Sequence, residues 1–336
     1  MTKRFGAVLS AVCILLFFGM ALRASDYPKR VIFDTDIGSD VDDGLALSLI
    51  HALMSRGEVE LLAVTSTNGS GLVPRYTCML NAYFGRPDIP IGMPRQPAQV
   101  MDGNFMQLTA DELEILSVPD PSVPIPAGDA VLLLRRVLAS SPDKSVSILM
   151  TGFATNLARL LDSSADQISS LTGKELIAQK TDQLVVMAGT FHDRPGEYVE
   201  NNIRFDIEAA RRVAEDWPVP VVWEGHEIGT RLLFSKEQLR RIFVMSPDMP
   251  AYVSCCHYGF PQMALWDLVV PFYLIFPDYF RLSEPGRVII RKDGTCRFQA
   301  EEGGRDRYIM PITDEESARI LEAFGWLVSL PPKAIR

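Results

Sequence analysis

Short apolar runs alternate along this chain with longer segments whose apolar residues recur at helical spacing. The short runs predict buried strands, and the longer segments predict helices with one buried face. The predicted strands cover residues 30–34, 59–65, 146–150, 183–188 and 219–223. The predicted helices cover residues 42–55, 76–84, 129–139, 154–161, 206–215, 236–241, 263–276 and 315–328. This alternation predicts an α/β fold with an open, mostly parallel sheet flanked by helices.

Two regions depart from the alternation. Residues 93–126 are rich in Pro, Gly and Met and have weak periodicity, so we expect a long loop region there. Near the C-terminus, residues 288–291 and 295–300 flank a Lys-Asp-Gly turn, which predicts a small hairpin before the closing helix. Because no repeat or clear linker divides the chain, we expect residues 25–336 to form a single α/β domain.

The first residues have the pattern of a targeting segment. Lys3 and Arg4 precede an apolar run over residues 7–22, and the first acidic residue is Asp26. This pattern predicts a secretory signal peptide over residues 1–24. The alternative is an uncleaved anchor, but the run is shorter than the ~20 residues that a membrane span needs. We therefore expect an exported protein, periplasmic or extracellular, with no stable membrane partner after cleavage.

Composition narrows the classes of partner. The chain has 336 residues, of which 47% are hydrophobic, so it can bury a sizeable core. Its net charge of -9 offers no basic surface for a nucleic acid, and we expect no such partner. Five cysteines are too few for a disulfide scaffold, and the sequence does not choose their partners. A homo-oligomer remains open because no interface can be recognised in the sequence.

The end of the first predicted strand carries the strongest chemical signal. Five aspartates fall within the ten residues DTDIGSDVDD, from Asp34 to Asp43. Ligands of open α/β sheets collect at the carboxyl ends of strands, where this run lies. So many carboxylates cannot all ionise in one place unless a cation offsets their charge. A hard cation with oxygen ligands, such as Ca²⁺, meets that need. The alternative, a solvated turn with one helix cap, accounts for only one or two of the five.

Polar residues also follow later strands. Thr151 follows the strand over 146–150 and could offer its backbone carbonyl to the site, whereas the nearby Thr155 or Asn156 could be a helix cap. A polar loop after residue 188 suits a polyol such as a sugar, although a solvated loop is the alternative; its polar residues are His192, Asp193, Glu197, Glu200, Asn201 and Asn202. Asp267, near the start of an apolar helix, is either an ordinary helix-terminal acid or the group that closes the cation site.

The acidic run and the helix after it resemble the N-terminal signature of the inosine/uridine-preferring nucleoside hydrolase family, an Asp-x-Asp, a Gly and then an Asp-Asp. The resemblance extends from about residue 30 to 275. It continues through LLAVTSTNG (61–69), GRPDIPIG (85–92), MTGFATNLA (150–158), ENNIRFDIEAA (200–210) and LWDLVV (265–270). The order and spacing of these motifs support the resemblance more than any one motif does.

The resemblance implies a calcium-dependent enzyme that hydrolyses the N-glycosidic bond of ribonucleosides to free base and ribose. The implied fold is an open α/β fold around a mainly parallel sheet. Asp36 matches the acid that contacts the calcium and activates the attacking, calcium-bound water. The other calcium ligands implied by the resemblance are Asp43, Asp267 and the backbone carbonyl of Thr151. An exported enzyme of this kind would scavenge nucleosides, both purine and pyrimidine.

The same resemblance implies a ribose site and a supporting acid. Asp42, Glu200 and Asn202 match positions that bind the ribose hydroxyls. Asp34 matches a supporting acid of the first loop. The chain also departs from the family pattern: Asp40 is an extra acid, and the place of a frequent family asparagine is taken by a serine with Asn68 nearby.

A further departure concerns the departing base. Purine-handling members have a His before the late Asp, where this chain has Trp266. A tryptophan cannot act as a general acid, but it can stack on a base, so we expect it to bind substrate. The remaining candidates for protonating the base are His192, His257 and Tyr258, which we expect on loops. We expect His51 and His226 to be structural.

Two other functions remain open. A homologue that binds a ribosyl or sugar ligand without turnover, or with another specificity, would keep the same acids. A phosphatase of the haloacid dehalogenase type also begins with Asp-x-Asp after a strand, which would make Asp34 the nucleophile and Asp36 the acid. The Gly38-Ser39-Asp40 insertion disfavours that alternative.

Overall fold

The computed structural model describes residues 28–114, 127–192 and 196–332. These residues contain twelve strands and thirteen α-helices. The predicted signal peptide over 1–24 and Asp193 lie outside the described residues. The strands are β1 (Lys29–Thr35), β2 (Val59–Ser66), β3 (Ile91–Met93), β4 (Ala127–Asp129), β5 (Val146–Met150), β6 (Thr181–Met187), β7 (Val221–Glu224), β8 (Leu233–Ser235), β9 (Gln262–Ala264), β10 (Gly286–Ile290), β11 (Cys296–Ala300) and β12 (Asp306–Tyr308). The helices are α1 (Asp42–Ser55), α2 (Val73–Tyr83), α3 (Asn104–Glu114), α4 (Ala130–Ala139), α5 (Thr155–Asp162), α6 (Gly173–Lys180), α7 (Asn201–Arg204), α8 (Ile207–Asp216), α9 (His226–Gly229), α10 (Lys236–Ile242), α11 (Pro250–His257), α12 (Trp266–Ile275) and α13 (Asp314–Val328).

Ten of the strands form one sheet in the order β11-β10-β12-β7-β6-β5-β1-β2-β3-β4. Neighbouring strands from β12 to β4 are parallel. Strand β10 runs antiparallel to both β11 and β12, so the predicted C-terminal hairpin extends one edge of the main sheet. Strands β8 and β9 form a separate antiparallel pair. The predicted open, mostly parallel sheet flanked by helices is confirmed.

Both faces of the sheet are buried, which explains why its central strands read as continuous apolar runs. Along β1, Val31 and Phe33 belong to the core on one face and Ile32 to the core on the other. Helices α1 and α12 cover the first face, and α4, α5 and α8 cover the second. Helix α1 is buried along almost its whole length, including His51. Its ring Nε2 lies 2.8 Å from Asn81 Oδ1, and the expected structural role of this histidine fits that contact.

Several elements differ from the predictions. Helix α3 occupies part of the region expected to be a loop, and its apolar side is buried at Phe105, Met106, Ala110 and Leu113. The spacing of these four apolar residues is helical, but the Pro, Gly and Met residues around them made the periodicity of the region too weak to predict a helix. The predicted helix over 263–276 is divided between β9 and α12, because Met263 pairs with Phe234 in the β8–β9 pair. Helices α6, α7, α9 and α11 were not predicted.

No helix within the described residues has the length and apolar character needed to cross a membrane.

A close approach of two loops sets the geometry at the carboxyl edge of the sheet. Strands β1 and β5 are adjacent, so the loop after β5 meets the acidic loop after β1. Gly152 makes the contact: a Cβ there would lie 2.5 Å from the backbone nitrogen of Asp36 and 2.7 Å from the carbonyl carbon of Thr35. Only a residue without a side chain fits between these backbones.

We expect Gly152→Ala to lower the free energy of unfolding by about 1–3 kcal/mol, because the added methyl group overlaps backbone that cannot move without separating β1 from β5. Urea denaturation measures the change. Gly71→Ala is the matched control, since no atom lies within 4 Å of a Cβ at that position. An unchanged unfolding midpoint for Gly152→Ala would contradict the close approach.

Candidate active site

A pocket lies at the carboxyl edge of the sheet, where the loops after β1, β5 and β6 meet the first turns of α9 and α12. It brings together nine residues singled out in the sequence: Asp36, Asp40, Asp42, Asp43, Thr151, Glu200, Asn202, Trp266 and Asp267. Its other lining residues are Ser39, Met101, Met187, Asn201, Phe205 and His226. The lining does not include Asp34, Asn68, His192, His257 or Tyr258, which were also proposed for the site from the sequence.

Three carboxylates converge in this pocket. Asp42 and Asp43 lie in the first turn of α1, and Asp267 lies in the first turn of α12. One carboxylate oxygen from each lies within 4.8 Å of the other two, and all three residues are buried. The backbone N–H of Asp267 donates to Asp42 Oδ2 over 3.0 Å. Thr35 Oγ1 donates to Asp43, which fixes that side chain against the end of β1.

The charge balance of this cluster favours a cation. Burial raises the pKa of Asp36, Asp42 and Asp267 well above the ordinary aspartate value, and repulsion between neighbouring acids raises it further. Burial raises the pKa of Asp43 to about 6. No lysine or arginine is among the described residues that line the pocket. A cation from solution would offset the charge of the ionised acids, and a buried set of carboxylate oxygens suits a hard divalent cation.

Two predicted ligands lie beside this group. Asp36 lines the same pocket but is not one of the three converging acids, whereas Asp42, which the resemblance places at the ribose, is one of them. The backbone carbonyl of Thr151 accepts a hydrogen bond from Asn202 Nδ2 over 2.7 Å. A carbonyl oxygen has a second lone pair, so this contact leaves it able to bind a cation.

Glu200 and Asn202 organise the opposite wall. Glu200 precedes α7, and its carboxylate accepts hydrogen bonds from the backbone nitrogens of Gly189, Asn202 and Ile203 at 2.8–3.3 Å. Burial raises the pKa of Glu200 to about 7. Asn202 Nδ2 also donates to the carbonyl of Met187 over 3.0 Å, which ties this wall to the end of β6. The pocket thus has a carboxyl and an amide on neighbouring residues, groups that suit a polyol.

Asp34 supports the acidic loop from beneath. Its Oδ1 accepts hydrogen bonds from Thr65 Oγ1 over 2.5 Å and from Asn156 Nδ2 over 2.8 Å. Burial raises the pKa of Asp34 to about 7. The contact also decides the role of Asn156, because helix α5 begins without a side-chain cap and Asn156 binds Asp34 instead.

Asn68 holds the same loop from the side. Its Nδ2 donates to the carbonyls of Ile37 and Met101 at 3.1 and 2.9 Å. Its Oδ1 accepts from the backbone nitrogens of Ser70 and Met101 at 3.0 and 2.9 Å. Asn68 therefore brings Met101, from the region predicted as a loop, to the pocket wall.

Aromatic rings form the remaining wall. The rings of His226 and Trp266 are stacked, with centroids 5.4 Å apart and planes at 27°. Trp266 Nε1 donates to the backbone carbonyl of His226 over 2.9 Å. The ring of Tyr198 lies 5.1 Å from that of His226 on a tilted plane. Trp266 thus lines the pocket, and His226, which was expected to be structural, lines it too.

The other histidines are placed differently. His192 is exposed, and its backbone nitrogen donates to Glu227. His257 was expected on a loop but is the last residue of α11, where Nε2 lies 2.8 Å from Glu112 Oε2. Tyr258 lies beside the pocket and donates to Asp40 Oδ2 over 3.2 Å. His226 could have been found from the sequence because it follows a strand end, as the other pocket residues do.

Two more acids lie at the end of β7 and in α9. Glu224 and Glu227 are both buried. Burial raises the pKa of Glu224 well above its ordinary value, and the charges of Asp42 and Glu227 raise it further. Glu227 Oε1 accepts hydrogen bonds from the backbone nitrogens of Phe191 and His192 at 2.8 and 3.0 Å. Glu227 therefore fixes the loop after β6 against α9.

Comparison with known proteins identifies the family to which the sequence of this chain is similar. A sequence model described as inosine-uridine preferring nucleoside hydrolase matches residues 31–318. A comparison with curated proteins gave no match.

Solved structures share the fold. A plant nucleoside hydrolase has a TM-score of 0.69 at 18% identity and covers 89% of this chain and 99% of its own. A purine-preferring ribonucleoside hydrolase from Gardnerella vaginalis has a TM-score of 0.69 at 16% identity, with coverages of 90% and 98%. An inosine-uridine preferring nucleoside hydrolase from Bacillus anthracis has a TM-score of 0.66 at 19% identity, with coverages of 89% and 99%.

The family match spans the acidic loop, Glu200, Asn202 and the late aspartate together. This chain belongs to the inosine-uridine preferring nucleoside hydrolase family and is an N-glycosyl hydrolase.

Proposed function

We propose that this chain hydrolyses the N-glycosidic bond of ribonucleosides, with the help of a bound Ca²⁺ ion, to free base and ribose. The observation that carries the proposal is the convergence of Asp42, Asp43 and Asp267 in a buried pocket that also contains Asp36, Glu200 and Asn202. The proposed reaction needs a cluster of acids that can bind a cation and a wall that can bind a polyol, and both lie in this one pocket.

The ligands of the proposed ion are Asp36, Asp43, Asp267 and the carbonyl of Thr151, with Asp42 adjoining them. All are oxygen donors, and the predominance of carboxylates suits Ca²⁺. When bound, the ion would offset the charge of these acids and orient the attacking water.

The chain's own residues then supply the group that accepts the proton of the water and the groups that hold the sugar. Asp36 accepts a proton from the water whose oxygen attacks C1′ of the ribose. The bond from C1′ to the base breaks, and its electron pair leaves with the base. Asp42, Glu200 and Asn202 hold the ribose hydroxyls and favour a transition state with oxocarbenium character. Because the sugar and the water are held in place, positioning supplies much of the rate.

The two alternative functions make different demands on the residues of the pocket. A phosphatase of the haloacid dehalogenase type would need Asp34 as an accessible nucleophile. Asp34 is fully buried, lies outside the pocket lining and accepts hydrogen bonds from Thr65 and Asn156. These contacts disfavour the phosphatase. A sugar-binding homologue without turnover would use the same pocket, so an assay of product release distinguishes it from the hydrolase.

Removal of the metal should abolish turnover. We expect ribose release from inosine, uridine, adenosine and cytidine to stop after dialysis against a calcium chelator and to return when Ca²⁺ is added. Free Ca²⁺ at a hundred times its dissociation constant should also stabilise the fold by about 2.7 kcal/mol, which thermal denaturation measures. Turnover that survives full chelation would contradict the metal site. Thermal stabilisation by nucleosides without base release would favour the sugar-binding alternative.

Asp36→Asn tests whether Asp36 is the group that accepts the proton of the attacking water. The substitution preserves shape but removes the proton acceptor, so we expect kcat to fall by about 10²–10⁴-fold while circular dichroism stays unchanged. Asp278→Asn is the matched control, because Asp278 is an exposed aspartate outside the pocket. Wild-type turnover by Asp36→Asn would show that another group accepts the proton.

A further inference from the structure

Another cavity lies at the carboxyl edge of the sheet, towards β3 and β4. Its volume is about 330 Å³, and it shares no lining residue with the active-site pocket. Its walls come from the segment after β3, the junction of β4 with α4, and helix α5. The polar residues of the lining are Arg95, Gln96, Asp129, Asn156 and Arg159. Ligands of open α/β sheets collect at this edge, so we asked which ligand these side chains would suit.

One side chain of the lining is a cation without a partner. Arg159 is half-buried on α5, and its side chain has no hydrogen bond, ion pair or ring contact within the part of the chain that the structure describes. By contrast, the buried Arg135 of α4 pairs with Asp166 over 2.9 Å. An anion in the cavity would supply the partner that Arg159 lacks. Phosphate suits a guanidinium well, because its oxygens can accept two parallel hydrogen bonds from the planar fork.

Asn156 adds an acceptor that has no donor. It is fully buried, and its Nδ2 donates to Asp34 Oδ1 and to the carbonyl of Ser66, each over 2.8 Å. Both amide hydrogens are therefore in use, whereas Oδ1 has no hydrogen-bond partner among the described residues. A buried acceptor that lacks a donor is costly for the folded state. A ligand in the cavity that Asn156 lines would remove this cost if it carried a hydroxyl.

Asp129 sets a further condition on the ligand. Its Oδ1 accepts a hydrogen bond from the backbone nitrogen of Leu132 over 2.9 Å, and its Oδ2 lies 3.3 Å from Arg95 Nε. This carboxylate would repel an anion that has no hydrogen to donate. An anion with its own hydroxyl can instead donate to Asp129 or to Asn156 Oδ1 while it accepts from Arg159. Near neutral pH, inorganic phosphate has such a hydroxyl and sulfate has none.

We propose that this cavity binds a phosphate group, either free hydrogen phosphate or the end of a small phosphate ester that carries a hydroxyl. Arg159 donates to the phosphate oxygens, and the hydroxyl of the ligand donates to Asn156 Oδ1 or to Asp129. The inference goes beyond the proposed hydrolysis of nucleosides and does not depend on it, because no residue of this cavity lines the active-site pocket.

Calorimetric titration of the protein with inorganic phosphate, glycerol 3-phosphate and sulfate tests the proposal. Calcium is left out of the buffer because calcium phosphate precipitates. We expect one phosphate group to bind per chain, and sulfate to bind about tenfold more weakly or less well still, because it cannot satisfy the two acceptors. Tighter binding of inorganic phosphate would identify the free anion as the ligand, and tighter binding of glycerol 3-phosphate would identify an ester.

Two variants test the assigned side chains. Arg159→Gln removes a charge that has no other partner, so we expect phosphate affinity to fall about tenfold or more while the unfolding temperature stays unchanged. Arg136→Gln is the matched control, because Arg136 is exposed on α4 and lies outside the lining. Asp129→Asn keeps a residue that can cap α4 but removes the negative charge, so we expect sulfate to bind more tightly and the preference for phosphate to shrink.

Three results would overturn the proposal. If neither phosphate ligand binds, the cavity holds only water. Equal binding of sulfate and phosphate by the wild type would mean a general attraction of anions to the arginines. Unchanged phosphate affinity in Arg159→Gln would mean that the anion binds elsewhere on the chain. None of these results bears on the proposed hydrolysis, which ribose release tests separately.

Discussion

Mutual repulsion among buried carboxylates is the constraint around which this structure is organised. Asp36, Asp42, Asp43 and Asp267 are all buried near one another, and no lysine or arginine lines the pocket among the described residues. Burial and repulsion both raise their pKa values, so the charged forms are costly until a cation arrives. An arrangement that is unfavourable alone becomes favourable when it binds a divalent ion, which supports the cation site proposed for it.

The surrounding scaffold holds these acids in place by uncharged contacts. Strand β1 lies at the centre of the parallel sheet, so its carboxyl end is flanked by the ends of β2 and β5. Thr65 of β2 and Asn156 of α5 both donate hydrogen bonds to Asp34, which lies where the acidic loop begins. Gly152 allows the loop after β5 to approach the backbone of Asp36. Hydroxyls, amides and a close backbone contact fix the loop without adding charge to it.

The pocket has a different character on its other wall. Asn202 links the carbonyls of Thr151 and Met187, so one amide connects the loop after β5 to the end of β6. Trp266 and His226 are stacked, and the indole N–H of Trp266 also donates to the backbone carbonyl of His226, so two contacts hold the aromatic wall together. Trp266 is adjacent in sequence to Asp267, and α12 therefore supplies a residue to each wall. The first turn of one helix therefore couples the position of the Asp267 carboxylate to that of the Trp266 ring.

The sequence by itself determined the sheet, the acidic loop and most of the pocket. Strands and helices have local periodicities, and parallel strands end at a common edge, so residues at strand ends could be predicted to meet. Asp36, Thr151 and Glu200 were found in this way although they are far apart in the chain, whereas Asp267 was singled out as an acid near the start of a predicted helix. The tertiary structure decided what local patterns do not contain. Helix α3 is buried by its neighbours despite weak periodicity, and the roles of His192, His226 and His257 depend on what packs around each ring. A histidine has the same sequence signature in a core, on a surface or in a pocket, because only its surroundings set its chemistry.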